Sequence, residues 1–470
     1  MKHVNFLKKS LMALVGLFLV SGISTVQAAV LYEFEFDGTD ETYYLFGGNF
    51  ARCSDNGEFA VGYSWMTGTA FIWTRSTGKI EQITGAAYTP NDELPDFTGI
   101  EAYDVSNDGI VAGTATFEGV YGSSTQKHYA PVPGYWQNGV WKQLPRIEGA
   151  SLSGGGYDGA ATTISADGKV IGGYLKRPTV VGSRTVQKYV PVKWVYSESL
   201  QDYELAYFEG EVFNQGFMTR SMSDDGSMIG GRMEYETGLA TPGIWFPAEN
   251  KLERIVAEGT TEPSLDDGYD ADGEVSGISP NGKYAVGAWS ATDINNPEYF
   301  VWSKEEGFQS LGYGVASAVT DNGTIIGGSA YFSSLVRPAG STELVDFSTY
   351  LFDKFGYEGN TCIPLGISED ETLIAGYNVD GDGYMYPAIF DANAESAVNK
   401  VSNDAAFKVF ADGNQVKVTG DVVSIRVDVY NMAGAKVYAT DQAAFELPSG
   451  CYLVTVSGAT GSVTKKLWVK

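Results

Sequence analysis

The 470-residue sequence holds two histidines, three cysteines and only 31 lysines and arginines against 58 acids. Each shortage closes a class of function. His3 falls in an N-terminal stretch read below as a leader, which leaves His128 alone. A Ser-His-Asp triad would depend on that one residue, and a multi-histidine metal centre has no ligands to draw on. Three cysteines build neither a disulfide framework nor a Cys-rich zinc site. The formal charge of −27 opposes a phosphate backbone, so no nucleic-acid partner is expected. Beyond the leader there is no long uncharged apolar run, and no transmembrane helix is expected.

Glycine, in contrast, is abundant at 58 residues, and aromatics make up 13% of the chain. Together they point to many short strands and tight turns. Residues 1–28 have the three parts of a secretory signal peptide: basic Lys2, Lys8 and Lys9, apolar Leu11 to Val20, and small residues at Val26-Gln27-Ala28. The apolar stretch is shorter than the roughly 20 residues needed to span a bilayer. Loss of this leader would leave 28 bases against 58 acids, a charge of −30. The expected location is secreted, either extracellular or on an outer-membrane surface.

One unit recurs seven times. A hydroxyl residue, a polar pair and a glycine precede a short apolar run: Ser54-Asp55-Asn56-Gly57, Ser106-Asn107-Asp108-Gly109, Ser165-Ala166-Asp167-Gly168, Ser223-Asp224-Asp225-Gly226, Ser279-Pro280-Asn281-Gly282, Thr320-Asp321-Asn322-Gly323 and Ser368-Glu369-Asp370-Glu371. Gly57 and Glu371 lie 314 positions apart, so the six intervals average about 52 residues. Asn-Gly or Asp-Gly between apolar runs reads as a two-residue hairpin turn. The following strand ends at Gly62, Gly113, Gly172, Gly230, Gly287, Gly327 and Gly376, where a side chain would crowd a neighbouring strand. A third strand carries Trp73, Trp136, Trp194, Trp245, Trp302 or Phe390 in most copies, and a fourth closes on an aliphatic. Four antiparallel strands in each of seven units describe an all-β fold, a seven-bladed β-propeller over residues 30–397. Val30 to Phe36 alternates as a strand outside any complete repeat, and is expected to complete blade seven and close the ring.

The order of inner strand, Ser-x-Asp-Gly turn, second strand and Trp-bearing third strand resembles tryptophan–aspartate repeat propellers. It resembles extracellular HAF-type repeats more closely, over roughly residues 40 to 392. No Trp is followed by Asp and no Gly-His dipeptide occurs, so the scaffold role of the former group is not carried over. The spacing also departs from the sialidase Asp-box, and retaining-sialidase chemistry is not implied.

Residues 401–470 break the repeat and alternate in short strands, which reads as a small Ig-like β-sandwich. Val429-Tyr430-Asn431-Met432-Ala433-Gly434, the Leu447-Pro448-x-Gly450-x-Tyr452 turn and Lys465-Lys466 resemble the C-terminal sorting domain of type IX secretion substrates in Bacteroidota. The resemblance implies secretion machinery as a partner. An ordinary accessory domain is the alternative.

Geometry places the Ser-x-Asp-Gly turns on one face of the ring and the long connections on the other. Those connections, such as Thr114 to Tyr135 and Leu175 to Lys193, carry tyrosines among acids, a surface suited to sugar rings or to an extracellular protein. Glu101, Asp158, Arg220, Glu274 and Tyr313 are expected at the channel mouth, with Tyr157 and Asp272 nearby in the binding surface. The leading reading is a binding or interaction module without a catalytic set. A carboxylate pair at the mouth acting as a glycan hydrolase or lyase is the alternative, and a purely structural surface protein is the third.

No cofactor is expected. Asn378, Asp380, Asp382 and Gly383 resemble the opening of a calcium loop, but its twelfth position is Ile389, and an acidic turn is the plainer reading. Asp270-Ala271-Asp272-Gly273 is shorter still. His128 parallels Tyr189 one blade later and reads as a loop variant. Cys53 and Cys362 differ by five residues in their distance from their markers, about 16 Å along a strand, which is too far for a disulfide. Phe347 to Phe355 reads as one short amphipathic helix, serving packing.

Overall fold

The computed structural model describes residues 29–35, 42–83, 86–88, 97–119, 128–148, 159–212, 216–236, 239–259, 272–290, 297–328, 334–394, 407–420, 425–431, 436–458 and 461–469. The chain divides into two compact units after Ala392, a few residues before the expected limit at 397. The leader lies outside the described residues.

The first unit is the seven-bladed propeller. Its seven inner strands are Gly48–Cys53, Phe97–Val105, Gly159–Ile164, Phe217–Met222, Asp272–Ile278, Val315–Val319 and Ile363–Ile367, and each contacts the next around a closed cycle. Every blade is an antiparallel sheet of four strands in chain order, and Ala86–Tyr88 adds a parallel fifth to blade two. The exception in order is blade seven, whose outer strand is Val30–Glu33 from the other end of the unit, with Val30 opposite Asp391 and Glu33 opposite Ala388. This is the closure that the alternation of Val30 to Phe36 predicts. Arg75 of blade one adds an ion pair to the buried carboxylate of Asp391 across the same seam.

The apolar core sits between blades. Phe71 and Trp73 of blade one pack with Leu373 and Ile389 of blade seven, and corresponding clusters fill the gaps between the other neighbouring blades. Trp73, Trp194 and Trp245 are fully buried, each contributing about 3 kcal/mol of apolar burial. Phe347–Phe355 is the α-helix the sequence predicts, with the same bounds; Gly356 ends it at φ +66°, and Phe347, Tyr350 and Leu351 are buried.

The marker turn differs from its sequence reading. Only the glycine has positive φ, and the loop runs five residues, from Ser54 to Glu58 in blade one. A two-residue turn is unnecessary because side chains satisfy the longer one. Ser54 Oγ donates to Asn56 Oδ1 (2.8 Å) and accepts from Phe59 N, while Asn56 Oδ1 accepts from Glu58 N. The same triple of bonds recurs from Ser165, Ser223, Ser279 and Ser368.

Every inner strand also carries a β-bulge three residues before its marker, as at Arg220 between Thr219 and Ser221. The partner just before each bulge is a glycine of the second strand. In blades three and four that glycine is Gly173 or Gly231, not the Gly172 and Gly230 expected from sequence.

The second unit is a two-sheet β-sandwich. Phe407–Asp412, Gln415–Gly420 and Ala444–Glu446 form one sheet; Lys436–Thr440, Arg426–Asn431, Gly450–Gly458 and Gly461–Val469 form the other. Val409, Val416, Val418 and Phe445 meet Val427, Val429, Val454 and Val456 between them. Leu447 of the sorting-type motif is buried in this core and donates its N–H to Asn414 O (3.0 Å). Gly450 opens the strand that carries Tyr452, which packs against the same core.

Candidate functional site

The residues one or two places after each marker hydroxyl join its blade to the next. Asn56 N donates to Asn107 Oδ1 (2.9 Å), Asn107 N to Ala166 O (2.9 Å), Ala166 N to Asp224 Oδ1 (2.8 Å) and Asp224 N to Pro280 O (2.8 Å). Asn281 N then donates to Asp321 Oδ1 (2.8 Å), Asp321 N to Glu369 Oε2 (3.0 Å), and Glu369 N to Asp55 O (3.0 Å). These bonds form an unbroken girdle around the axis. Where Ala166 and Pro280 supply no side-chain acceptor, their carbonyls substitute.

The girdle encloses a cavity of about 70 Å³ lined by Arg52, Asp55, Asp104, Asp224 and Glu369 among others. Arg52 crosses it, donating from blade one to Leu365 O of blade seven (2.7 Å) and Ser276 O of blade five. Asp104 accepts from Thr163 Oγ1 (2.9 Å) and Ile164 N (3.0 Å). The Ser-x-Asp-Gly end of the channel is therefore plugged by a hydrogen-bonded guanidinium.

Burial and the neighbouring acids Asp224, Glu369, Asp104 and Asp321 push Asp55 up to about 8. Burial, with Asp321, Asp224 and Glu371, lifts Glu369 to about 7 against the pull of its bond from Asp321 N. A carboxyl whose folded pKa exceeds its unfolded value of about 4 stabilises the fold below that value. The contribution is lost as pH rises through the folded pKa. Stability of the propeller is thus expected to fall between about pH 4 and 8, by on the order of 1 kcal/mol per girdle acid. Denaturant titration across this range checks it; Asp55→Asn should flatten the slope, and an unchanged slope contradicts the assignment.

Next to the Arg52 level, on the side away from the marker turns, the channel gathers three of the expected residues. Arg220 Nε donates to Glu274 Oε2 (2.9 Å), linking blades four and five. In blade two, Tyr103 OH donates to Glu101 Oε2 and stands edge-on to Tyr63 of blade one at 5.6 Å. Burial and then Glu101 raise the Tyr103 phenol well above its ordinary value. Burial works against the Arg220 charge, but Glu274, Tyr174 and Tyr103 more than restore it. Tyr174 stands edge-on to Tyr189 at 5.3 Å. Both carboxylates are engaged by donors, so the cluster offers a guanidinium, two acceptors and phenol faces for recognition.

Other expected residues lie elsewhere. Asp272 pairs with Arg232 of the neighbouring blade. Tyr313 ends the outer strand Gly307–Tyr313, opposite Glu298, instead of opening the next inner strand, which begins at Val315 after Gly314. Tyr157 and Asp158 lie outside the described residues, as does Asp270. Asp380 Oδ1 accepts from Asp382 N (2.9 Å) and Tyr384 N (2.8 Å), and Asn378 Nδ2 turns to Glu33 Oε1 (2.8 Å); the loop's polar groups close its own turn. Among the described residues, no group of three or more Asp, Glu, His or Cys is placed to hold a metal ion. None of their helices is long and apolar enough to cross a membrane.

Two expected loops are largely strand among the described residues; 120–127 lie outside them. Val111–Gly119 pairs with His128–Gln137, and Val170–Val181 pairs with Arg184–Ser197 out to Val181 opposite Arg184. The β-branched Thr179-Val180-Val181 and Thr185-Val186 extend the second hairpin, and His128 is a strand residue opposite Gly119. Cys53, Cys362 and Cys451 are free thiols; burial, with Glu33, pushes Cys362 up to about 12.

Tyr63, Tyr103, Tyr174, Arg52 and Asp104 were not among the expected site residues. An alignment on the markers does contain a signal for three of them. Glu101 and Glu274 stand five before their marker, Tyr103 and Arg220 three, and Arg52 and Asp104 two. The inner-strand positions that escape small or apolar residues are those at the axis.

No protein-family model and no curated protein matches the chain. Among solved structures it is similar to TolB from Acinetobacter baumannii at 16% identity and TM-score 0.34, covering 56% of this chain and 53% of that one. It thus spans about half the length of that protein. It is similar to the Swd1 β-propeller domain of Myceliophteria thermophila at 12% identity and TM-score 0.39, over 73% of this chain and 99% of that one. The β-propeller domain of the Trilobed protease from Pyrococcus furiosus gives 9% identity and TM-score 0.35, over 63% and 79%. No activity follows from likenesses this distant; the propeller assignment rests on the sheet topology above.

Proposed function

We propose that the chain is a secreted or cell-surface propeller that binds a ligand in its channel on the side away from the marker turns, with a glycan ahead of an extracellular protein. The observation that carries this is the convergence of Arg220–Glu274 and Glu101–Tyr103 beside Tyr63 and Tyr174, adjoining Arg52 on the side away from the marker turns. Carboxylates accept from sugar hydroxyls, a guanidinium donates to ring and acetal oxygens, and phenol faces take the apolar side of a pyranose. The test is a glycan array probed with the full chain, followed by titration of the bound glycan. Arg220→Ala should weaken binding about tenfold or more, which is the loss of one charged hydrogen bond. Equal binding by Arg220→Ala contradicts the site, and release of a cleaved product would replace the module with the glycan-active enzyme.

The C-terminal sandwich is proposed to be a sorting domain for type IX secretion, on the strength of the Leu447-Pro448-x-Gly450-x-Tyr452 turn and Lys465-Lys466. Residues 1–28 are proposed to direct the preceding export step. Deletion of residues 401–470 should trap the propeller inside the cell envelope, read by surface proteolysis. Normal surface delivery would defeat the proposal.

A further inference from the structure

The seam where the ring closes carries a second surface. Most large aromatics are buried between blades, but Tyr43, Trp65 and Tyr384 are 52%, 63% and 43% exposed. They come from three segments that the topology sends to one end of the propeller, opposite the marker turns. Tyr43 lies in the helical turn Tyr43–Leu45 that leads into the first inner strand. Trp65 lies in the turn between Phe59–Ser64 and Thr69–Thr74 of blade one, and Tyr384 between Leu373–Val379 and Met385–Asp391 of blade seven.

Contacts hold the three segments together. Tyr43 stacks on Phe46 (centroids 6.3 Å, planes 18° apart), and Phe46 meets Tyr384 at 4.9 Å. The Trp65 turn is fastened to the same segment, since Ser64 Oγ donates to Phe46 O and Thr69 Oγ1 to Tyr44 O (3.0 Å). Met66 lies over Gly47, where a Cβ would stand 2.5 Å from the Met66 Cγ; glycine is needed for that approach. Beside the rings is a second cavity of about 70 Å³, lined by Glu35, Phe46, Asp380, Tyr384, Met385 and Tyr386. Its lining holds acceptors and aromatic faces and no lysine or arginine.

We propose that Tyr43, Trp65 and Tyr384 form a carbohydrate platform across the closure seam, a subsite for a neutral glycan separate from the Arg220–Glu274 cluster. It rests on the glycan reading above. A pyranose lays its C–H face on an open aromatic surface while its hydroxyls donate to carboxylates at the edge. A cation would need rings that enclose it, and these three lie open on the surface. Glu35 and Asp380 of the cavity lining are the acceptors at that edge. Because the platform draws on blades one and seven, a bound glycan ties the ring's two ends and favours the closed fold by mass action.

The experiment titrates the full chain with cellohexaose, chitohexaose, laminarihexaose and mannohexaose, reading acrylamide quenching of tryptophan fluorescence and the melting temperature. At least one sugar should shield Trp65, the most exposed of the described tryptophans, and raise the melting temperature. Trp65→Ala and Tyr384→Ala should each weaken binding at least tenfold and remove the shielding. Phe352→Ala, an exposed aromatic on the helix, should change neither. Binding that survives both platform substitutions but falls in Arg220→Ala overturns the platform and leaves the channel reading standing. Binding lost in Trp65→Ala and kept in Arg220→Ala upholds the platform and overturns the channel site. No binding of any of the four sugars overturns the platform, while a hit elsewhere on the glycan array would still keep the channel reading.

Discussion

Gly376→Ala is expected to destabilise the propeller by about 3 kcal/mol or more, read as a fall in denaturation midpoint or a loss of soluble protein. A Cβ at this position would stand 1.9 Å from Ile363 O and 3.1 Å from Pro364 Cα, both backbone atoms of the inner strand. Neither can rotate away, so one strand of the blade must move. The same collision recurs at every bulge: Gly62 with Asn49 O at 2.0 Å, Gly113 with Glu101 O at 2.2 Å, Gly287 with Glu274 O at 2.0 Å. The bulge tips the inner strand's carbonyl over the second strand, and glycine admits it. Gly78→Ala separates this cause from backbone preference. Gly78 has φ +65° but nothing within 4 Å of a Cβ, so it should cost only about 1 kcal/mol. Equal losses at Gly376 and Gly78 would show that conformational freedom, not the carbonyl contact, selects these glycines.

The repeat, the count of blades and the closing strand were legible because each leaves a local mark: a Ser-x-Asp-Gly turn, a period of about 52 residues, an alternation at Val30. The helix was legible for the same reason, with Gly356 in the left-handed region just after its last turn. What escaped was whatever depends on partners from other blades. The girdle joins Glu369 to Asp55, 314 positions apart, through a backbone N–H and carbonyl that every residue owns. Arg52 reads as an ordinary strand residue until its acceptors, Leu365 O and Ser276 O, are brought to the axis from two other blades. At the candidate site, Arg220 and Glu274 were expected at the mouth, but their pairing required adjacent blades in register. The extended hairpin of blade three was misread as a loop because Lys176, Arg177, Arg184 and Lys188 surround the short β-branched runs Thr179-Val180-Val181 and Thr185-Val186.

Glu371 is where the seventh marker departs from the repeat, and its replacement should have the second large effect. It takes the turn position that glycine fills in the other six copies, at φ +59°, and the residue is 3% exposed. The carboxylate accepts from Asn322 Nδ2 (2.7 Å) and Thr324 Oγ1 (2.9 Å) of blade six, and from Tyr350 and Lys354 of the helix. The strained backbone is thus held by four donors that bind the helix to blades six and seven. Glu371→Ala removes the carboxylate, keeps the strain and leaves four donors without it, at a cost of about 3 kcal/mol. Glu371→Gly restores the repeat's own turn residue and should recover about 1 kcal/mol of that. Burial works to raise the Glu371 pKa, but the bonds from Lys354, Tyr350, Asn322 and Thr324 outweigh it and hold the group below its ordinary 4.5. A lowered folded pKa gives stability that is full above the unfolded value and lost as pH falls through the folded one. The gap between wild type and Glu371→Ala should therefore be widest above about pH 5 and shrink below about pH 4. The girdle acids act oppositely, through the range from about 4 to 8, so their contribution is separable in the same titration. A gap that stays constant into the acid range would mean that Glu371 acts through packing alone.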